Sequence, residues 1–159
     1  MMTDSHGGKV VLYGTLGVDW PTIENGATIG DGTRIGQNTY IGMNVKIGKN
    51  CRIMQHVTIC KDAIIGDNVF IGPNTTLLND KYPPTQVSQP PVVESHAVIG
   101  GGATLCPGVV VGFRSVVGAG SNVTRDVPDE EVWIGNPAAI HMSRDEYDRR
   151  QRELQERLG

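Results

Sequence analysis

Side chains suited to chemistry are sparse in this chain, and most stand alone. The four histidines, His6, His56, His96 and His141, lie far apart. A catalytic zinc ion needs three protein donors converging on it, and isolated histidines supply no such set. The cysteines, Cys51, Cys60 and Cys106, are odd in number and lack metal-type spacing, so they imply neither a disulfide framework nor a metal cluster. The densest group is Asn79-Asp80-Lys81-Tyr82-Pro83, within TLLNDKYPP at residues 76–84. It sets an amide, a carboxylate, an ammonium and a phenol side by side. Asn, Asp and Pro are also the residues that begin a loop, so the meaning of the stretch depends on what carries it.

What carries it is a repeat. Aliphatic residues fall at Ile23, Ile29, Ile35, Ile41, Ile47, Ile53, Ile59, Ile65, Ile71 and Leu77, and again at Val93, Ile99, Leu105, Val111, Val117 and Val123. Every step within each series is six residues, giving sixteen units. The residue after the aliphatic is often Gly, as at Gly30, Gly36, Gly42 and Gly48. The third residue after it is Gly, Asn or Asp in most units, the types that best tolerate a left-handed backbone. The fourth is small, as at Ala27, Thr33, Thr39, Val45 and Cys51. Each unit therefore predicts a sharp turn and a short strand whose residues point in, out, in. His56 and His96 stand in the turn column, and histidine tolerates that conformation too. Cys51 stands in the inward small column and reads as a buried apolar residue.

The beat breaks once. From Leu77 to Val93 the chain uses sixteen residues where six would do, and Pro83, Pro84, Pro90 and Pro91 forbid a continuous coil there. The segment must loop out from a corner. The outward column is polar or amphipathic early (Arg34, Tyr40, Lys46, Arg52) and apolar later (Ile64, Phe70, Val98, Val110, Val116). A row of outward apolar residues needs a cover, which points to a subunit interface along the later coils.

The rest of the chain frames this scaffold. A length of 159 residues fits one domain, and a net charge of −3 suggests neither a nucleic-acid surface nor a polybasic membrane contact. No apolar run approaches the length of a membrane span or a signal peptide, so the expectation is a soluble, cytoplasmic protein without membrane insertion. Glycine, at 21 residues, is about twice its usual share, while aromatics are 5%, as suits a narrow solenoid. Solenoid ends need capping. Residues 1–22, with Trp20-Pro21, are expected to cover the first coil, and residues 129–159 form a C-terminal extension. Within it Ser143-Arg144-Asp145-Glu146 reads as a capping box opening a helix over about 144–158. Acid-to-base pairs four apart, Asp145/Arg149, Glu146/Arg150, Asp148/Arg152 and Glu153/Arg157, support that helix. Tyr147, Leu154 and Leu158 could form a thin docking stripe on it.

The unit aliphatic-Gly-X-Asn/Gly-small-X resembles the hexapeptide repeat of left-handed β-helix proteins, over about residues 23–128. The resemblance implies an all-β fold, a left-handed parallel β-helix of about five triangular coils with one excursion loop at 78–92 and a C-terminal helix. It also implies a homotrimer. GAGSNVTRDVP at 118–128, followed by WIGNPA at 133–138, looks like the C-terminal signature of the acyltransferases in that family. By that likeness acetyl-CoA is the co-substrate, Gly118 and Ala119 contact its pantetheine arm, and Arg125 meets a CoA phosphate. No metal is expected to be required.

The excursion refines the resemblance. Sugar and xenobiotic O-acetyltransferases of this fold carry a Thr-X-X-His-Pro stretch whose histidine is the general base. This chain instead has Asn79-Asp80-Lys81-Tyr82-Pro83, similar to the Thr-Asn-Asp-X-Tyr-Pro segment of nucleotide-sugar N-acetyltransferases. Leu78 replaces the Thr, and Pro84 follows Tyr-Pro where Arg is common. A hydroxyl acceptor needs a base before it can attack, whereas a neutral amine attacks directly. The expected catalytic residues are Asn79, accepting a hydrogen bond from the amine, and Asp80, favouring the ammonium on arrival or taking its proton afterwards. Tyr82 and His96 are expected to contact substrate, a nucleotide-linked amino sugar. The alternatives are an O-acetyltransferase of a sugar, serine or xenobiotic using His96 or His56 as base, and a non-catalytic hexapeptide protein.

Overall fold

A computed structural model describes residues 2–3, 9–12 and 20–159. His6 and most of the expected N-terminal cap lie outside the described residues. Within them Trp20 is half-exposed.

Each repeat forms a two-residue strand followed by a turn, and the strands stack in parallel as the three faces of a prism, a left-handed β-helix. One face carries Arg34, Arg52, Phe70, Val98 and Val116 outward, and is called here the arginine face. Its first parallel strand is Lys9–Leu12, whose Val11 and Leu12 pair with Arg34 and Ile35, and Met2–Thr3 lies antiparallel on the outer edge of that strand. The second, the threonine face, carries Thr22, Tyr40, Thr58, Thr76, Thr104 and Asn122. The third, the aliphatic face, carries Thr28, Lys46, Ile64, Val92 and Val110. Between residues 22 and 123 successive neighbours on a face are eighteen residues apart, as Arg34 and Arg52 are, except across the excursion.

The repeat's chemistry explains the turns. Asn38, Asn44, Asn50, Asp62, Asn68 and Asn74 all have φ between 54° and 65°, and His56 and His96 adopt the same conformation at 58° and 63°. Both histidines are exposed turn residues. Inside the prism Ile35, Ile41, Ile59, Ile71, Leu77, Ile99 and Leu105 are fully buried, with Val45, Cys51 and Val57 in the small column. Hydroxyls in that column are satisfied by turn carbonyls, Thr33 Oγ1 donating to Gly48 O at 2.8 Å and Thr39 Oγ1 to Met54 O at 2.9 Å. An inward hydroxyl therefore avoids the cost of an unpaired buried polar group.

The coil count corrects the expectation of about five. The threonine face alone has six strands, and two further sides follow Val123. Val127 bridges to Val111 on the aliphatic face, and Glu131–Gly135 continues the arginine face beside Val116 and Val117, completing a sixth coil. The inward column resumes at Val127, two residues early, and then at Trp133, both buried. That shift in phase hid the last coil from a strict count of sixes. Ala138–Ser143 then turns back antiparallel along Glu131–Gly135.

The helix α1 (Arg144–Leu158) follows, with Ser143 Oγ accepting from Glu146 N. Its ion pairs only partly follow the simple spacing. Glu146 meets Arg150 as expected but also Arg149, which reaches on to Glu153. Asp148 turns instead toward Arg144 at 2.7 Å and Arg114 at 3.1 Å. Arg144 also donates to the carbonyls of Arg114 and His96, at 2.8 and 3.3 Å, and so ties the base of the helix to the solenoid. Leu154 and Leu158 are exposed, and no α1 residue is buried. No helix among the described residues is long and apolar enough to cross a membrane.

Candidate active site

The excursion leaves the prism after Leu77 at the corner between the threonine and aliphatic faces, and returns at Val92. Its root is held by the solenoid's own ladder. Leu78 N donates to Leu105 O at 3.0 Å, Gln89 N to Asn79 O at 2.6 Å, and Gly108 N to Gln89 O at 2.8 Å. Two consecutive earlier turns lie below it on the same corner. Together they enclose a cleft of about 340 Å³ lined by Tyr40, Met43, Cys60, Lys61, Asn79, Asp80, Pro84, Gln86 and Val87. No histidine is among those lining residues.

Asn79 sits half-buried at the back of the loop, and its Nδ2 donates to Ser88 Oγ at 3.3 Å. Ser88, with help from Asn44, hydrogen-bonds the Asp62 carboxylate and holds its pKa below the usual carboxylate range. The two strands of the loop are thereby tied to the turn below and the Asn79 amide is oriented, its Oδ1 remaining an acceptor.

Asp80 is engaged differently. Its carboxylate accepts from the Thr85 hydroxyl at 2.6 Å, from Thr85 N at 2.9 Å and from Tyr82 N at 3.1 Å. These bonds, the Thr85 hydroxyl first, hold its pKa below the ordinary value of 3.8. Such a carboxylate is a weak base and a persistent negative charge at the mouth of the cleft. Cys60 is the reverse case. Burial pushes its thiol pKa up, although the Asn79 backbone N–H partly opposes this. A thiol held protonated is a poor nucleophile.

The remaining candidates are spread around the prism. Tyr82 stands at the loop tip, 73% exposed, with Lys81 Nζ 5.8 Å from its ring. His96 lies at the corner between the aliphatic and arginine faces, with Phe113 edge-on at 5.6 Å. It does not reach the cleft within one chain. Gly118 and Ala119 occupy the third corner, between the arginine and threonine faces, at the end of a column of small turns. A Cβ at Gly72 would lie 2.4 Å from Gly101 N, one at Gly100 2.4 Å from Ala119 N, and one at Gly118 2.5 Å from Ile134 Cγ2. Arg125 shares the loop's corner but belongs to the last turns, its guanidinium 5.1 Å from the centre of the Trp133 ring. Among the described residues no group of three or more His, Cys, Asp or Glu is placed to hold a metal ion.

Comparison with known proteins agrees with this architecture. The profile described as "Bacterial transferase hexapeptide (six repeats)" matches residues 44–79. That described as "Hexapeptide repeat of succinyl-transferase" matches residues 26–54 and 90–125. The galactoside O-acetyltransferase of Lactococcus lactis is 44% identical over 48 residues, which are 30% of this chain and 23% of that protein. The crystal structure of PerB from Caulobacter crescentus, in complex with CoA and GDP-perosamine, superimposes with a TM-score of 0.71 at 27% identity. That match covers 86% of this chain and 60% of PerB. AntD, an N-acyltransferase from Bacillus cereus, shares the fold, with a TM-score of 0.69 at 19% identity over 93% of this chain and all of that one. The chain thus spans about a quarter of the length of the curated relative and under two thirds of PerB.

Proposed function

Because the chain belongs to the hexapeptide-repeat transferase family, we propose that it moves an acetyl group from acetyl-CoA to the amine of a nucleotide-linked amino sugar. The observation that carries this reading is the cleft under the excursion loop. It presents an oriented amide, Asn79, and a fixed carboxylate, Asp80, with no imidazole among its lining residues. PerB, bound to CoA and an amino sugar on GDP, supports the substrate class.

In this reading the neutral amine attacks the thioester carbonyl, a C–N bond forms, the C–S bond breaks, and CoA leaves as thiolate. The Asn79 Oδ1 accepts a hydrogen bond from the amine and aims its lone pair, a contribution of positioning. Asp80, ionised throughout, favours the incoming ammonium electrostatically, and that ammonium gives one proton to solvent before the neutral amine attacks. With its pKa lowered, it holds the loop and the charge, and the departing thiolate is the stronger acceptor for the released proton. Tyr82 packs on the nucleotide-sugar from the loop tip, and His96 serves as a further substrate contact. Gly118 and Ala119 admit the pantetheine arm, and Arg125 meets a CoA phosphate.

This reading also requires a second copy of the chain. Donor corner and acceptor cleft lie at different edges of one prism, and so does His96. A homotrimer that sets the Gly118 corner of one protomer against the excursion loop of the next brings them together. The outward Ile64, 44% exposed, marks apolar surface for such packing. The test is a CoA-release screen of amino sugars on nucleotides against hydroxyl acceptors. Turnover of amines alone is expected, and turnover of hydroxyl compounds alone would overturn the proposal.

A further inference from the structure

A second groove lies away from the loop, where the arginine face meets the threonine face in the early coils. It encloses about 410 Å³ and is lined by Arg34, Arg52, Gln37, Gln55, Met54 and Gly36, among others. Arg34 and Arg52 are direct neighbours in the parallel ladder, on coils about 4.8 Å apart. Like charges set side by side on a sheet oppose folding. Among the described residues neither guanidinium has a carboxylate within 4.0 Å, although Arg114, Arg144, Arg149 and Arg150 all do. Arg52 is also oriented, its guanidinium carbon 5.7 Å from the centre of the Phe70 ring.

From this geometry we infer that the Arg34–Arg52 groove binds a diphosphate. Two planar forks on adjacent coils match two linked phosphates, each able to accept a bidentate pair. Gln37 and Gln55, from successive turns, add neutral donors for a sugar or a base, and the volume is that of an ordinary ligand pocket. The groove shares its corner with Gly118 and Ala119 but lies three to four coils away, roughly 14–19 Å along the axis. A ligand seated on the arginines therefore leaves the small-residue end free.

Both a nucleoside diphosphate and CoA carry this chemistry. The inference rests on the acetyl-transfer reading only for supposing that both are ligands. The experiment is calorimetric titration of UDP, dTDP, GDP and, separately, CoA into the wild type and an Arg34→Gln/Arg52→Gln variant. The double substitution is expected to weaken at least one class about thirtyfold. Loss confined to the nucleoside diphosphates assigns the groove to the acceptor, and loss confined to CoA assigns it to the donor. Equal affinities in both proteins, or no binding by the wild type at about 1 mM, would overturn the inference. An Arg34→Lys/Arg52→Lys variant guards against misfolding, since it keeps both charges and removes the forks, and it should still bind several-fold more weakly. If nucleoside diphosphate affinity falls in the variant while no amine is acetylated by either protein, the groove stands and the proposed function falls. If amine acetylation persists with an unchanged KM and all affinities are unaltered, the reverse holds.

Discussion

Asp80 gives the loop a measurable dependence on pH. Its pKa is lower in the folded chain than the ordinary 3.8, chiefly through the Thr85 hydroxyl. Its bonds therefore stabilise the loop fully above that ordinary value and are lost as pH falls through the depressed one. Protection of the Tyr82 and Thr85 amides, taken relative to the intrinsic exchange rate at each pH, should persist at neutral pH and fall only well into acid. Asp80→Asn should show the reduced protection already at pH 7. At Asn79, replacement by Ala should lower kcat/KM about tenfold, or about 1.4 kcal/mol of barrier, and an unchanged value would remove it from the site. His96→Ala should retain most activity, because the imidazole serves as a substrate contact and not as the base. Asn79 and Asp80 were legible because a broken repeat drew attention to them. Their companions Tyr40, Met43 and Cys60 were not. They reach the cleft only because coils of eighteen residues stack 40 below 58 and 60 below 78. No local signal in the sequence marks that meeting.

At the scale of elements, the small-residue turns are set by backbone distances between coils. An Ala at Gly100 would place Cβ 2.4 Å from Ala119 N, an atom that cannot rotate away. Gly100→Ala should therefore cost about 1–3 kcal/mol, read as a lower unfolding midpoint, whether or not CoA binds. The glycine-rich turn column was plain in the sequence, and so was the helix after Ser143. The helix's ion pairs were less so, since Arg114 on a distant coil captures Asp148 and leaves Arg152 without it. Arg144→Ala should release the base of α1 while leaving the coils intact. Hydrogen exchange should then rise through 144–158 and not at Ile71 or Ile99.

For the whole molecule, the proposed trimer predicts three chains per particle by light scattering at micromolar concentration. A monomer there would remove the shared site. The prism was readable from its inward column between Ile23 and Val123; Val11 and Leu12, which extend the ladder ahead of it, stand outside the beat of six, and after Val123 the two-residue advance to Val127 concealed the final turn. The same advance precedes the C-terminal change of direction in the ladder, which matches the antiparallel pairing of Met2–Thr3 with Lys9–Leu12 at the other end. A parallel solenoid ends in a row of unpaired backbone groups that any like strand could extend. On the arginine face Ala138–Ser143 occupies that row, running the opposite way, so the edge it presents no longer has parallel hydrogen-bond spacing. The hairpin thus blunts that edge against strand addition. A chain cut after Gly135 should self-associate through the uncovered edge of Glu131–Gly135, visible as faster-sedimenting material, while the intact chain keeps a fixed size.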